Sequence, residues 1–280
     1  MKKLLFSFAY ILMSLAMYAT GQEGDVIYID GIQWELLGKP IWTNAELNRN
    51  LSEALPKQKR LVTSNYSGYT AYWSIVEEQL CLDSICYEFY DAKSKKSRVE
   101  KLPAKTIQRL FNKYYDGERI VASWFTDNIR VAKGKWVYYQ HDGYNRNYED
   151  EQVICIDGGE VTDIQVFHNY MVDGFSFDRF KPQRNDVREM FPLHTEKYPA
   201  LAEVKRIIFH VKQARVDASG HLAECEVRVL NPKVDAQVAE ALAAEMAEAL
   251  KAYYPWRVSF INGEYRALGI AGYSFAYVLP

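Results

Sequence analysis

Asp30-Gly31 and Asp157-Gly158-Gly159 each stand between short runs rich in Val, Ile, Thr and aromatic residues. This arrangement constrains the fold most, because a tight hairpin needs backbone with positive φ and Gly supplies it without strain. Val26 to Ile29 and Ile32 to Leu37 flank the first turn, and Gln152 to Ile156 and Glu160 to Phe167 flank the second. Tyr69 to Ile75, Gln79 to Ile85, Arg119 to Trp124, Ile129 to Ala132 and Lys135 to Gln140 read as further strands, in a chain with 21 Tyr and 6 Trp that suit pleated surfaces. The stretch from Asp25 to about Phe180 therefore predicts a β-meander. Two short helices interrupt it. Thr43 and Glu46 have capping-box spacing ahead of a Leu47, Leu51, Leu55 stripe that Pro56 stops, and Pro103 opens a second helix with Ile107, Leu110, Phe111 and Tyr114 on one face.

Beyond Lys181 the pattern changes. Residues 181–199 are polar and carry Pro182, Pro192 and Pro199, the composition of a linker. Val204 to Val216, the turn Asp217-Ala218-Ser219-Gly220 and Leu222 to Leu230 form a hairpin. Asp235 caps a helix with Val238, Leu242, Met246 and Leu250 at i+4 spacing, and Tyr265 to Leu279 is a closing strand after the Asn262-Gly263 turn. The expected class is α+β: a β-rich domain over 22–180, a linker over 181–199 and a small ββαβ domain over 200–280.

The first 21 residues stand outside that scheme. Lys2 and Lys3 precede an apolar run from Leu4 to Ala16, and Ala19-Thr20-Gly21 supplies small residues before Gln22, the pattern of a cleaved secretory signal peptide. The run is shorter than the ~20 apolar residues that span a bilayer, so the mature chain is expected in the periplasm or outside the cell, with no membrane span. The full chain carries a net charge of −2, and losing Lys2 and Lys3 makes it slightly more acidic, which gives no reason to expect a nucleic-acid or anionic-membrane partner.

Four cysteines in an oxidising compartment invite disulfides. Cys225 lies with Ala223, Val227 and Val229 on the apolar side of an alternating run and reads as a buried free thiol. In a continuous strand Cys81 and Cys86 would sit about 16 Å apart on opposite faces, whereas a turn at Asp83-Ser84 would set them across a hairpin, where a Cys81 to Cys86 disulfide is expected. Cys-x4-Cys with no second cysteine pair or His cluster does not predict a metal site, and nothing predicts a cofactor.

The order and spacing of Val216-Asp217-Ala218-Ser219-Gly220-His221, the charged strand Leu222 to Val229, the helix, Pro255-Trp256, Asn262-Gly263-Glu264 and the aromatic closing strand resemble the TonB C-terminal domain. The likeness covers Val204 to Pro280. It implies a ββαβ fold and a module that contacts an envelope protein or peptide, an outer-membrane receptor among them, by strand addition. Energy transducers of that family also carry an amino-terminal membrane helix and a Pro-rich spacer. This sequence shows neither, so the resemblance implies partner binding rather than transduction. Asp30 to Trp34, Gly68 to Ile75 and His141 to Tyr144 also resemble segments of exported Bacteroidetes proteins of unknown function, which implies a source but no activity.

Two candidate sites follow. The closing strand is apolar on both faces and carries no charge after Arg266, so Tyr265, Ile270, Ala271, Tyr273, Phe275 and Tyr277 are expected on an edge. That edge is covered by the amino-terminal domain, paired with its own copy in a homodimer, or open to a partner strand. The polar run Tyr138 to Glu151, with His168 near it in a meander, offers His141, Tyr144, Tyr148 and His168 as a platform for a glycan or peptide, or His141 or His168 as a general base beside Glu149 or Glu151. No nucleophile motif, phosphate loop or His-x-x-x-His pair accompanies the run, so the plainer expectation is a long solvated hairpin loop and no catalytic residue.

Overall fold

The computed structural model describes residues 21–91, 93–177, 186–231, 233–266 and 272–279. The chain is α+β and rich in strands, and it divides into two compact units at His168/Asn169. None of the described helices is long and apolar enough to cross a membrane.

The first unit is built from β1 (Asp25–Ile29), β2 (Ile32–Leu36), β3 (Thr70–Val76), β4 (Gln79–Asp91), β5 (Lys96–Lys101), β6 (Ile120–Val121), β7 (Asp127–Tyr139), β8 (Arg146–Asp157) and β9 (Glu160–His168). Their order, β3-β1-β2-β7-β8-β9-β4 with β4 returning to β3, closes a ring. Closure at β9 rests on one register pair, Gln79↔Glu160, and β9 is mostly exposed on both faces, with Ile164 and Val166 in solvent. Helices α1 (Ala45–Ala54) and α2 (Ala104–Leu110) bring Leu47, Leu51 and Ile107 to the core, where Leu55, Trp73, Phe111 and Ile154 are also buried. Asn44, not Thr43, caps α1: its Oδ1 accepts from the Leu47 N–H, while the Thr43 hydroxyl donates to the Pro40 carbonyl and closes a preceding 3-10 turn.

Two expectations fail on β4 and β8. β4 runs unbroken through Asp83-Ser84, pairing Cys81 with Ser74 and Cys86 with Thr70 on β3. Both thiols are free, because five residues of continuous strand keep them beyond disulfide reach. The polar run of 138–151 is not a long loop either: β7 extends to Tyr139 and β8 begins at Arg146, so only residues 140–145 form the connection.

The second unit begins earlier than composition suggests. β10 (Tyr170–Val172) pairs with β13 (Val258–Ile261), which pairs with β14 (Glu264–Arg266). A second sheet has the order β12-β11-β15, from β11 (Arg206–Val216), β12 (Leu222–Val229) and β15 (Tyr273–Val278). Helix α4 (Ala236–Ala252), capped by Asp235, packs Leu242, Met246 and Leu250 onto this sheet. The stretch expected to be a linker carries the short helix α3 (Asp186–Met190) and buries Val187, Phe191 and Leu193 in the same core, with Phe177 before it and Leu201 after it. It is structural because its aromatic side chains cover sheet area that α4 leaves open. The closing strand is two elements in two sheets: Tyr265 lies in β14, Tyr273, Phe275 and Tyr277 lie in β15, and Ile270 and Ala271 fall outside the described residues.

Candidate functional site

β15 is the terminal strand of its sheet. Its register with β11 pairs Ile207 with Tyr277, Phe209 with Phe275 and Val211 with Tyr273. The Ile208 carbonyl accepts from the Leu230 N–H on the β12 side, and the Lys205 carbonyl accepts from the Leu279 N–H on the β15 side. Main-chain direction alternates along an antiparallel ladder, so Tyr273, Phe275 and Tyr277 bond to β11 while the N–H and C=O groups of Ser274, Ala276 and Val278 point away from it. No strand among the described residues pairs with that outer side. The side chains expected to meet a partner are engaged in the core: Phe275 and Tyr277 are buried, Phe177 stacks on Tyr273 at 4.6 Å, and the Tyr277 hydroxyl accepts from the Leu193 N–H at 3.1 Å. What the strand offers outward is main chain, with small side chains at Ser274 and Ala276.

The second region lies on the long β7/β8 hairpin. Arg146, Asn147, Tyr148 and Glu151 are all buried. Glu151 accepts from the Tyr148 N–H at 2.8 Å and from the Asn147 amide at 3.0 Å. Glu35 on β2 takes one hydrogen bond from Arg146 and another from the Tyr148 hydroxyl. Burial pushes the Tyr148 phenol up, and its bond to Glu35 adds to the shift; burial would lower the Arg146 guanidinium, but Glu35 holds it above its ordinary value. Tyr144 packs against Leu37, Ala132 and Tyr148, with its hydroxyl buried and its pKa pushed up to about 12 by burial and by the Asp25 charge.

The exposed aromatic surface here belongs to other residues. Trp136 is 56% and Tyr139 42% exposed, with their rings stacked at 5.0 Å, and Trp136 meets Tyr148 edge-on at 6.4 Å. The Tyr139 hydroxyl is 2.7 Å from Nδ1 of the exposed His141. His168 stands opposite Asp150 and bonds its carboxylate at 2.9 Å. Tyr139 stands opposite Arg146, four residues from Asp150 on β8, so about 13 Å of strand separates the ends where the two histidines sit. Thus His141, Tyr144, Tyr148 and His168 do not form one surface. Sequence reasoning passed over Trp136 and Glu35, and took Tyr139 and Arg146 only as members of the polar run.

A cleft of about 400 Å³ on the first unit is lined by Glu23, Arg60, Tyr72, Cys86 and Glu88 among others, but Arg60 pairs with Glu88 at 2.8 Å and Glu23 accepts from Ser64 at 2.6 Å. Burial pushes the Cys86 thiol up, which disfavours a nucleophilic thiolate. No cluster of three or more metal-ligating side chains occurs among the described residues. No protein-family model matches the chain, and no curated protein or solved structure matches it.

Proposed function

We propose that this chain is an exported, non-enzymatic binding protein of the bacterial envelope whose carboxy-terminal unit takes up an extended segment of a partner protein along β15. The observation that carries the reading is the row of outward main-chain groups at Ser274, Ala276 and Val278 on a terminal strand. In strand addition such groups supply affinity, and alternate side chains of the incoming strand supply selectivity. The small side chains at Ser274 and Ala276 leave room beside the edge, and no charge on β15 repels a second strand. The likeness to the TonB C-terminal domain makes a periplasmic segment of an outer-membrane protein the partner class to test first.

Ala276→Pro removes an outward N–H and leaves the ladder to β11 intact, a substitution that edge strands tolerate. Peptides selected from a random library on the intact chain should protect the amides of 274–278 from hydrogen exchange and lose about tenfold or more in affinity for the Ala276→Pro variant. Peptides that bind the variant as tightly as the parent would overturn the reading.

A further inference from the structure

We propose a second binding site on the first unit, in which Trp136 and Tyr139 receive a neutral, pyranose-based oligosaccharide. Trp136 projects more than half of its surface into solvent, yet its ring is held on two sides, by stacking on Tyr139 at 5.0 Å and by edge-on packing against Tyr148 at 6.4 Å. Tyr148 is in turn fixed by Glu35, and Glu35 by Arg146. Burying that polar set costs desolvation that an apolar contact would not, and what it achieves geometrically is a rigid, exposed indole. An aromatic ring ordered before binding loses little entropy when a ligand stacks on it.

The rim decides the class of ligand. His141, with Nδ1 2.7 Å from the Tyr139 hydroxyl, sets two hydrogen-bonding groups beside the stacked rings, which suits hydroxyls radiating from the edge of a sugar whose flat C–H face lies on the indole. The guanidinium nearest the rings, Arg146, is buried and paired with Glu35, so it offers no free cation to a nucleic-acid phosphate. A β-linked gluco-configured chain presents its substituents equatorially and leaves the flattest face for stacking. This site lies in the other unit from β15 and stands independently of strand addition.

The test is calorimetric titration of the intact chain with cellohexaose and with chitohexaose, in the parent, Trp136→Ala and Ala276→Pro proteins, with a thermal melt of each. Saturable binding of either hexasaccharide, weakened about tenfold or more by Trp136→Ala at an unchanged melting temperature and unaffected by Ala276→Pro, is the expected result. The proposal is overturned if neither sugar binds at millimolar concentration, if Trp136→Ala binds as the parent does, or if Ala276→Pro alone abolishes binding.

Discussion

Asp25 carries its carboxylate to the centre of the first unit, where both it and Lys39 are fully buried and 2.8 Å apart. Oδ1 also accepts from the Ala71 N–H at 3.0 Å and Oδ2 from the Trp73 indole at 3.0 Å, while Lys39 donates to the Tyr69 carbonyl at 3.1 Å. Burial pushes the carboxyl up from its ordinary range, and Lys39, Ala71 and Trp73 pull against it. A pair of this kind adds little net stability, but removing one partner leaves an uncompensated buried charge. Asp25→Asn should therefore cost about 3–5 kcal/mol in urea denaturation, whereas adding Lys39→Met should recover much of that loss. Additive losses in the double variant would show that the two charges are not coupled. The β1/β2 hairpin sets Asp25 opposite Leu36, three residues before Lys39, but the sequence does not show that the pair is buried, because that depends on β3 bringing Ala71 and Trp73 onto the carboxylate. The same limit hid Trp136. Strict alternation puts positions 136 and 139 on opposite faces, but register shifts between Lys133 and Trp136 and between Trp136 and Tyr138 set both beside Tyr148 and Arg146. Gly134, at φ +91° and with a Cβ position 2.8 Å from Glu149 Oε2, occupies the first of these irregularities.

At the scale of elements, turns with Gly were legible and the turn without it was less so. Asp30-Gly31 and Asn262-Gly263 have positive φ at both positions, as their residue types suggest. The β3/β4 turn does the same with Glu77 at φ 51° and Glu78 at φ 61°. A left-handed non-glycine residue is held at a local cost of roughly 1–2 kcal/mol, which the ladder from Val76↔Gln79 onward offsets. Glu78→Gly should relieve part of it and raise stability by about 0.5–1 kcal/mol, with Glu77 left in place to keep its exposed contact to Arg119. A lower urea midpoint in that variant would mean that the Glu78 side chain contributes more than its backbone strain costs. The continuity of β4 was harder to read, since Asp83-Ser84 has turn composition. Ser84 is nonetheless buried, and Asp83 accepts from Ser74 at 2.9 Å across the pair of strands.

At the scale of the molecule, the two changes of sequence pattern mark two cores, but the boundary between them was misplaced. Polar residues and three prolines make 181–199 look like a linker, and its apolar residues follow no helical or strand period that would signal burial. Their burial is tertiary. Phe191 is fully buried and packs edge-on against Phe175 at 5.5 Å, and Phe177 stacks on Phe275 at 5.5 Å. A module beginning at residue 200 would lose these side chains together with β10, exposing one edge of β13 and the face of β15 that carries Phe275 and Tyr277. Phe191→Ala in the intact chain should cost about 3–5 kcal/mol, the range for deleting a buried aromatic ring. The sharper comparison is between fragments: residues 169–280 should unfold in one cooperative thermal transition, and residues 200–280 should show none. A sigmoidal melt of the shorter fragment at the same midpoint would mean that the sheet and α4 suffice for the fold, and that Phe177, Phe191 and Leu193 lie against the second core without holding it together.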